Sequence, residues 1–222
     1  ERGGQVRLRT VAAGLQIGDG RVSGVRLRGG ELLRAGAVVS AIPYDALARL
    51  LPPDSGELDG LTGSLKLFRP SPIISIHLWL DRAVTELEFA GLLGTEVQWL
   101  FNKRLTWQNK GDSPPGDGFY SLVISAAGEL LEMRREELVE MALRELRELL
   151  PEARRAKLRH ALVVKERAAT FSPAVGSAAY RPGPATPLAN FFLAGDWTAT
   201  GLPATIEGAV QSGQTCADLI LR

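Results

Sequence analysis

Apolar positions recur along this chain either at every second residue or at helical spacing, and turn residues separate the blocks. From about Gln5 to Ala41 the pattern predicts short strands. Val6, Leu8 and Thr10 fall on one side, Gly18-Asp19-Gly20 is a turn signal, and Arg21 to Arg28 forms a second strand. Ala37 to Ile42 reads as a compact apolar strand stopped by Pro43, and Asp45 to Leu51 as a short helix closed by Pro52-Pro53. Further strands are expected over Pro70–Leu80, Glu96–Asn102 and Gly118–Ser125, and the stretch Asn109–Gly118 is an exposed loop by composition. Glu129 to Leu150 gives the clearest helix. Leu131, Leu138, Ala142, Leu146 and Leu149 share one face, Glu140 and Arg144 stand one turn apart, and Pro151 ends it. Its charges read as a solvated face. Leu158–Thr170 returns as a long strand, and Arg181-Pro182-Gly183-Pro184 is a linker-like turn.

The last forty residues carry the most information. Phe191-Phe192-Leu193-Ala194 has the length of a central strand, Gly195 permits a sharp turn, and Asp196 follows as a lone carboxylate. Pro203 suits the first turn of a closing helix, on which Ile206, Val210, Gly213, Ala217 and Ile220 share a face. Gly208, Ser212 and Gly213 keep that helix's surface low. On this reading the N–H groups of Ala204 to Ile206 face an anion or a developing negative charge, and Asp196 accepts hydrogen bonds from ligand hydroxyls.

Composition narrows the function. The 222 residues allow one large or two modest domains, and 45% hydrophobic with 23% charged residues is the balance of a globular protein. Lys and Arg total 26 against 25 Asp and Glu, so nucleic-acid binding has no electrostatic support. The single cysteine, Cys216, excludes an internal disulfide and reads as an inert buried thiol. With His77 and His160 the only histidines, no zinc-type cluster is expected, and no metal. His77, mid-strand in an apolar run, reads as a core or pocket-wall residue, and Trp99 and Phe101 as half-buried aromatics able to line a greasy tunnel. No apolar run approaches the length of a membrane span. The start, Glu1-Arg2-Gly3-Gly4-Gln5-Val6, lacks an initiator methionine and is expected to be the interior of a longer protein.

The segment Ala194-Gly195-Asp196 followed by Gly208-Ala209-Val210-Gln211-Ser212-Gly213 closely resembles the C-terminal flavin-binding signature of the amine oxidase and phytoene desaturase superfamily. Within it, Gly195-Asp196-Trp197-Thr198 and Thr200-Gly201-Leu202-Pro203-Ala204-Thr205-Ile206-Glu207-Gly208 resemble the squalene-associated FAD-dependent desaturases, the hydroxysqualene dehydroxylases. Words along the rest of the chain agree: Val38-Val39-Ser40-Ala41-Ile42-Pro43, Ile74-Ser75-Ile76-His77-Leu78-Trp79-Leu80-Asp81, and Tyr180-Arg181-Pro182.

The resemblance implies an α/β (α+β) fold: an incomplete, Rossmann-like FAD domain of amine oxidase type in segments 1–62 and 184–222, with a mixed-sheet-plus-helices substrate domain inserted over 63–183. It implies FAD contacts from Val11 at the adenine end, from Ala41 and Pro43 near the flavin, and from Gly195, Asp196, Trp197, Thr198, Gly201, Leu202, Pro203, Ala204, Thr205 and Ile206. A Gly-x-Gly-x-x-Gly turn is missing: Gly18-Asp19-Gly20 and Gly116-Asp117-Gly118 both fail at the third glycine. The chain as it stands is therefore expected not to hold FAD tightly. The implied activity is that of an oxidoreductase of isoprenoid metabolism, reducing hydroxysqualene to squalene for hopanoid and other triterpenoid synthesis. A long-chain isoprenoid substrate and a cytoplasmic location, with peripheral contact at the inner face of a membrane left open, go with it. The alternatives are a phytoene-type carotenoid desaturase or amine oxidase, and a non-catalytic remnant or partner subunit that borrows its dinucleotide-binding unit. No residue stands out as a catalytic group, and the oligomeric state is not legible.

Overall fold

The computed structural model describes residues 3–53, 56–107 and 118–222. The chain divides into two compact units, one of residues 1–69 and 171–222, the other of residues 70–170. In chain order the first unit opens with β1 (Ala12–Gly18), β2 (Arg21–Leu27), β3 (Leu32–Leu33), β4 (Val38–Ser40), α1 (Tyr44–Leu50) and α2 (Asp59–Leu65). The second contains β5 (Pro70–Leu80), β6 (Phe89–Gly91), β7 (Trp99–Asn102), α3 (Lys103–Trp107), β8 (Gly118–Ser125), α4 (Arg135–Leu149) and most of β9 (Leu158–Phe171). The first unit closes with β10 (Phe191–Leu193) and α5 (Ile206–Leu221).

In the first unit β1, β2 and β3 form an antiparallel meander. Its hairpin turns through Asp19 (φ 51°) and Gly20 (φ 68°), the doubly left-handed geometry that matches strand twist. The strand expected from Val6 onward begins only at Ala12. Val6 and Leu8 are 86% and 82% exposed, because β2 ends at Leu27, opposite Ala12, and leaves the earlier residues no partner edge. Strands β4 and β10 pair in parallel, Phe191 beside Val38 and Leu193 beside Ser40. Asn190 joins the two sheets: its buried amide accepts from Val22 N at 2.8 Å and donates to Val22 O and Gly36 O at 2.9 and 3.0 Å. Beneath lies a core of Leu47, Leu58, Phe68, Phe191, Leu193 and Trp197. Phe68 sits at its aromatic centre, stacked on Tyr44 and edge-on to Phe171, Tyr180 and Trp197.

The second unit is a five-stranded sheet in the order β6-β7-β8-β5-β9, with one face covered by α4. Ile74, Ile76 and Leu78 of β5 and Leu122 and Ile124 of β8 point to Leu138, Ala142 and Leu146 of the helix. Helix α4 begins at Arg135, six residues after the expected start, and Leu149 is 41% exposed instead of sharing the buried face. Glu140 and Arg144 form no ion pair among the described residues; Arg134 and Glu137 pair instead at 2.9 Å at the helix entrance. The opposite face of the sheet carries aromatics, with Trp79 stacked on Phe119 at 4.4 Å and Trp99 on Phe101 at 6.2 Å. The loop expected over Asn109–Gly118, with its Gly116-Asp117 step, lies outside the described residues apart from Gly118.

Candidate functional site

Parallel strands β4 and β10 end side by side, and the backbone beyond a parallel pair's carboxyl ends is where open α/β sheets bind ligands. Two connections join the segments that emerge there. Ala194 N donates to Ser40 O at 2.9 Å, and the Trp197 indole Nε1 donates to Ile42 O at 3.0 Å. Ala41 and Pro43 are thereby held against Gly195 and Trp197, although they are far apart in sequence. Ser40 Oγ, buried at this rim, has no hydrogen-bond partner among the described residues.

Gly195 (φ 143°) makes the turn that brings Trp197 back toward the core. The Trp197 side chain is 2% exposed and its N–H is spent on Ile42. This narrows its expected part: with the whole residue buried and its carbonyl accepting from Arg181 at 3.4 Å, Trp197 shapes the turn and presents no free group to a ligand. Thr198 is committed inward as well, its hydroxyl donating to Gly195 O at 2.8 Å. By contrast Asp196 is half-buried, and its carboxylate makes no hydrogen bond among the described residues.

Helix α5 starts later than expected. Thr205 is its N-cap and its hydroxyl accepts from Gly208 N at 3.1 Å, so Pro203 lies outside the helix instead of in its first turn. The free helical donors are therefore Ile206 and Glu207, with the N–H groups of Ala204 and Thr205 leading into them; none of the four has a hydrogen-bond partner among the described residues. Ala204 is half-buried, Thr205 and Ile206 exposed. The helix also presents a different face from the expected one. Gly208, Ser212 and Cys216 pack inward, whereas Ile206 is 87% and Val210 51% exposed. Small residues are needed on the inner face because it lies directly under the turn. Ser212 Oγ accepts from Gly195 N at 2.8 Å, Cys216 Sγ donates to Leu193 O at 3.1 Å, and burial pushes the Cys216 pKa up.

Arg181, taken from sequence as part of a linker, organises the whole loop. Its guanidinium donates to Leu202 O at 2.7 Å, Asp196 O at 2.8 Å, Trp197 O at 3.4 Å and Thr200 Oγ1 at 3.2 Å. Its own face lies over the Phe171 ring, 5.2 Å from the centroid. Burial lowers its pKa and the nearby Asp196 carboxylate opposes that shift. Gly201 (φ 76°) supplies the reversal that lets Thr200 and Leu202 both face the guanidinium. Beside this loop a small cavity of about 120 Å³ opens between Thr198 to Thr200 and the α5 residues Gln211, Ser212 and Thr215.

The structure thus brings Ala41, Pro43 and the 195–206 segment into one site. It places Val11 elsewhere in the unit, beside Arg7, Arg9, Arg28 and Glu31, with its carbonyl accepting from Arg28 N at 2.9 Å. Among the described residues no group of His, Cys, Asp or Glu is placed to hold a metal, and no helix is long and apolar enough to cross a membrane. An unpartnered carboxylate at one end of the Arg181-bound loop and a row of free N–H donors just past its other end suit a ligand with hydroxyls and negative charge, which is what a flavin dinucleotide offers.

Comparison with known proteins identifies relatives of the chain. Among curated sequences the chain is 39% identical over 187 residues to a hydroxysqualene dehydroxylase of Sinorhizobium fredii, covering 83% of this chain and 38% of that protein. It is 30% identical over 236 residues to the 15-cis-phytoene desaturase of Synechococcus elongatus, covering 99% of this chain and 48% of that one. The chain thus spans less than half the length of these relatives. Its fold matches the crystal structure of an oxidoreductase from Methanosarcina mazei with a TM-score of 0.71, at 20% identity over 94% of this chain and 49% of the other. A putrescine oxidase redesigned at its cofactor site matches with a TM-score of 0.69, at 16% identity over 96% of this chain and 48% of the other. The family model for flavin-containing amine oxidoreductases matches residues 1–221, so the chain belongs to that family, an oxidoreductase lineage whose cofactor here is FAD.

Proposed function

We propose that this chain is part of an FAD-dependent enzyme that reduces hydroxysqualene to squalene, with the first unit binding the cofactor and the second the isoprenoid. The observation that carries the cofactor half is the unpartnered Asp196 carboxylate at one end of the Arg181-bound loop, with the free N–H groups of Ala204 to Glu207 just past its other end. Asp196 would accept hydrogen bonds from cofactor hydroxyls. The N-terminus of α5 would stabilise negative charge by about 0.3–1 kcal/mol, more where water is excluded. When bound, FAD in its reduced form supplies the hydride. The protein's task is then to bind, orient and keep water out.

For the substrate half, the support is the aromatic face of the second unit's sheet, where Trp99 and Phe101, and Trp79 stacked on the buried Phe119, offer π-faces to a polyene. Such faces also stabilise the positive charge that develops when an allylic hydroxyl departs. The choice of hydroxysqualene over phytoene rests on the wording of residues 195–208 and on the higher identity to the dehydroxylase. On this reading the chain alone retains FAD weakly, and turnover belongs to the full protein.

The test is to incubate the full-length flavoprotein, chemically reduced, with hydroxysqualene, and the oxidised form with phytoene and with amines. Squalene as product supports the proposal. Turnover of phytoene or an amine alone overturns the substrate assignment, and a full-length protein that purifies without flavin overturns the enzyme reading.

A further inference from the structure

We propose that Arg181 is a positioning residue for the cofactor, holding the loop of residues 196–202 in the one shape that leaves Asp196 and the start of α5 open to FAD; the inference rests on the cofactor assignment above. A loop of seven residues containing Gly201 has many conformations, and ordering it costs about 1–2 kcal/mol per residue. Three of its carbonyls, those of Asp196, Trp197 and Leu202, converge on a single guanidinium together with the Thr200 hydroxyl. With these carbonyls on the guanidinium, and the N–H groups of Thr198, Ala199, Thr200 and Leu202 spent on internal bonds, the Asp196 side chain is left as the loop's free acceptor.

The charge acts alongside the geometry. The guanidinium is held by main-chain carbonyls and the Phe171 ring, and it forms no ion pair with Asp196 among the described residues. It therefore leaves the carboxylate free as an acceptor. The planar fork is what permits this: a lysine ammonium is a point charge and cannot reach four acceptors spread over residues 196 to 202. Ala199 N adds the neighbouring proline to the same device, donating to Pro182 O at 2.8 Å.

The experiment uses the full-length flavoprotein with Arg181→Lys, Arg181→Gln and, as control, Asp196→Asn. Affinity for FAD is measured on reconstituted apoprotein from flavin fluorescence, the midpoint potential of the bound flavin is followed, and thermal unfolding of the apoprotein is recorded beside them. Expected are at least a tenfold weaker FAD affinity for Arg181→Gln, a smaller loss for Arg181→Lys, and faster amide exchange over residues 196–202 in both. An arginine that served stability alone would lower the melting temperature and leave the affinity of the folded fraction unchanged, which overturns the proposal. If Arg181→Gln does not fold, Arg181→Lys decides by the same criterion. Unchanged affinity in Asp196→Asn would sink the cofactor assignment itself; weakened affinity there with none in the Arg181 variants would sink this inference alone.

Discussion

A Cβ on Gly195 would stand 2.6 Å from Nε1 of Trp197 and 2.9 Å from its Cδ1, closer than packed atoms approach. The indole occupies that space because its N–H must reach Ile42 O, so the glycine and the tryptophan define each other's positions. With φ at 143°, Gly195 also has a backbone conformation that other residues rarely adopt. Gly195→Ala should therefore cost about 1–3 kcal/mol from the backbone, with the clash adding to it. Urea denaturation measures this; a variant as stable as the parent would contradict the geometry.

Glu145 predicts a large effect in the second unit. Its carboxylate, on a residue only 8% exposed, accepts from the backbone N–H groups of Glu96 and Val97 at 3.1 and 3.0 Å. Truncation in Glu145→Ala strands both donors and should lower stability by about 2–4 kcal/mol. Glu145→Gln keeps one acceptor and should lose less. The order of the two midpoints in denaturant is the check.

The pH dependence of stability has an identifiable contributor in His77. Burial first, and the nearby Lys103 second, lower its pKa below the ordinary 6.5. Its Nδ1 is buried without a partner among the described residues. As pH falls below about 6.5 the unfolded chain takes up a proton that the folded chain refuses, so stability declines until the pH passes the folded-state value and then levels off. His77→Gln should flatten the difference in unfolding free energy between pH 7.5 and pH 5. An identical pH dependence in the variant would remove His77 from the account.

Cys216 should be chemically silent in the native protein. It is 1% exposed, its thiol donates to Leu193 O, and its pKa is raised by burial. A thiol-specific reagent at pH 8 should react in seconds after denaturation and at least a hundredfold more slowly before it. Comparable rates in the two states would place α5 away from β10.

Strands β5 and β8 have the very ends expected from residue pattern, since Pro70 and Gly118 bound apolar runs whose alternation each strand can satisfy locally. Helix α4 was legible in its inward face but not in its start. The carbonyls of Leu131 and Met133 are taken by the ammonium of Lys165, more than thirty residues away, so the chain turns before it becomes helical. Asn190 and Arg181 escaped notice for a related reason. Each serves acceptors or donors from elsewhere in the chain, and an amide or guanidinium among turn residues looks the same whether it is solvated or holds a loop together.

Residue order alone was enough for the family, for the strand–turn–helix wording of the last segment, and for Asp196 as a carboxylate worth watching. These depend on neighbours a few positions apart, where periodicity and turn chemistry operate. Folding settled which side of α5 is inside, that Thr205 and not Pro203 opens that helix, and that Trp197 belongs to the core. Those outcomes follow from the parallel pairing of β4 with β10. It sets Ile42 under the Trp197 indole, across more than a hundred and fifty residues of chain that no local pattern spans.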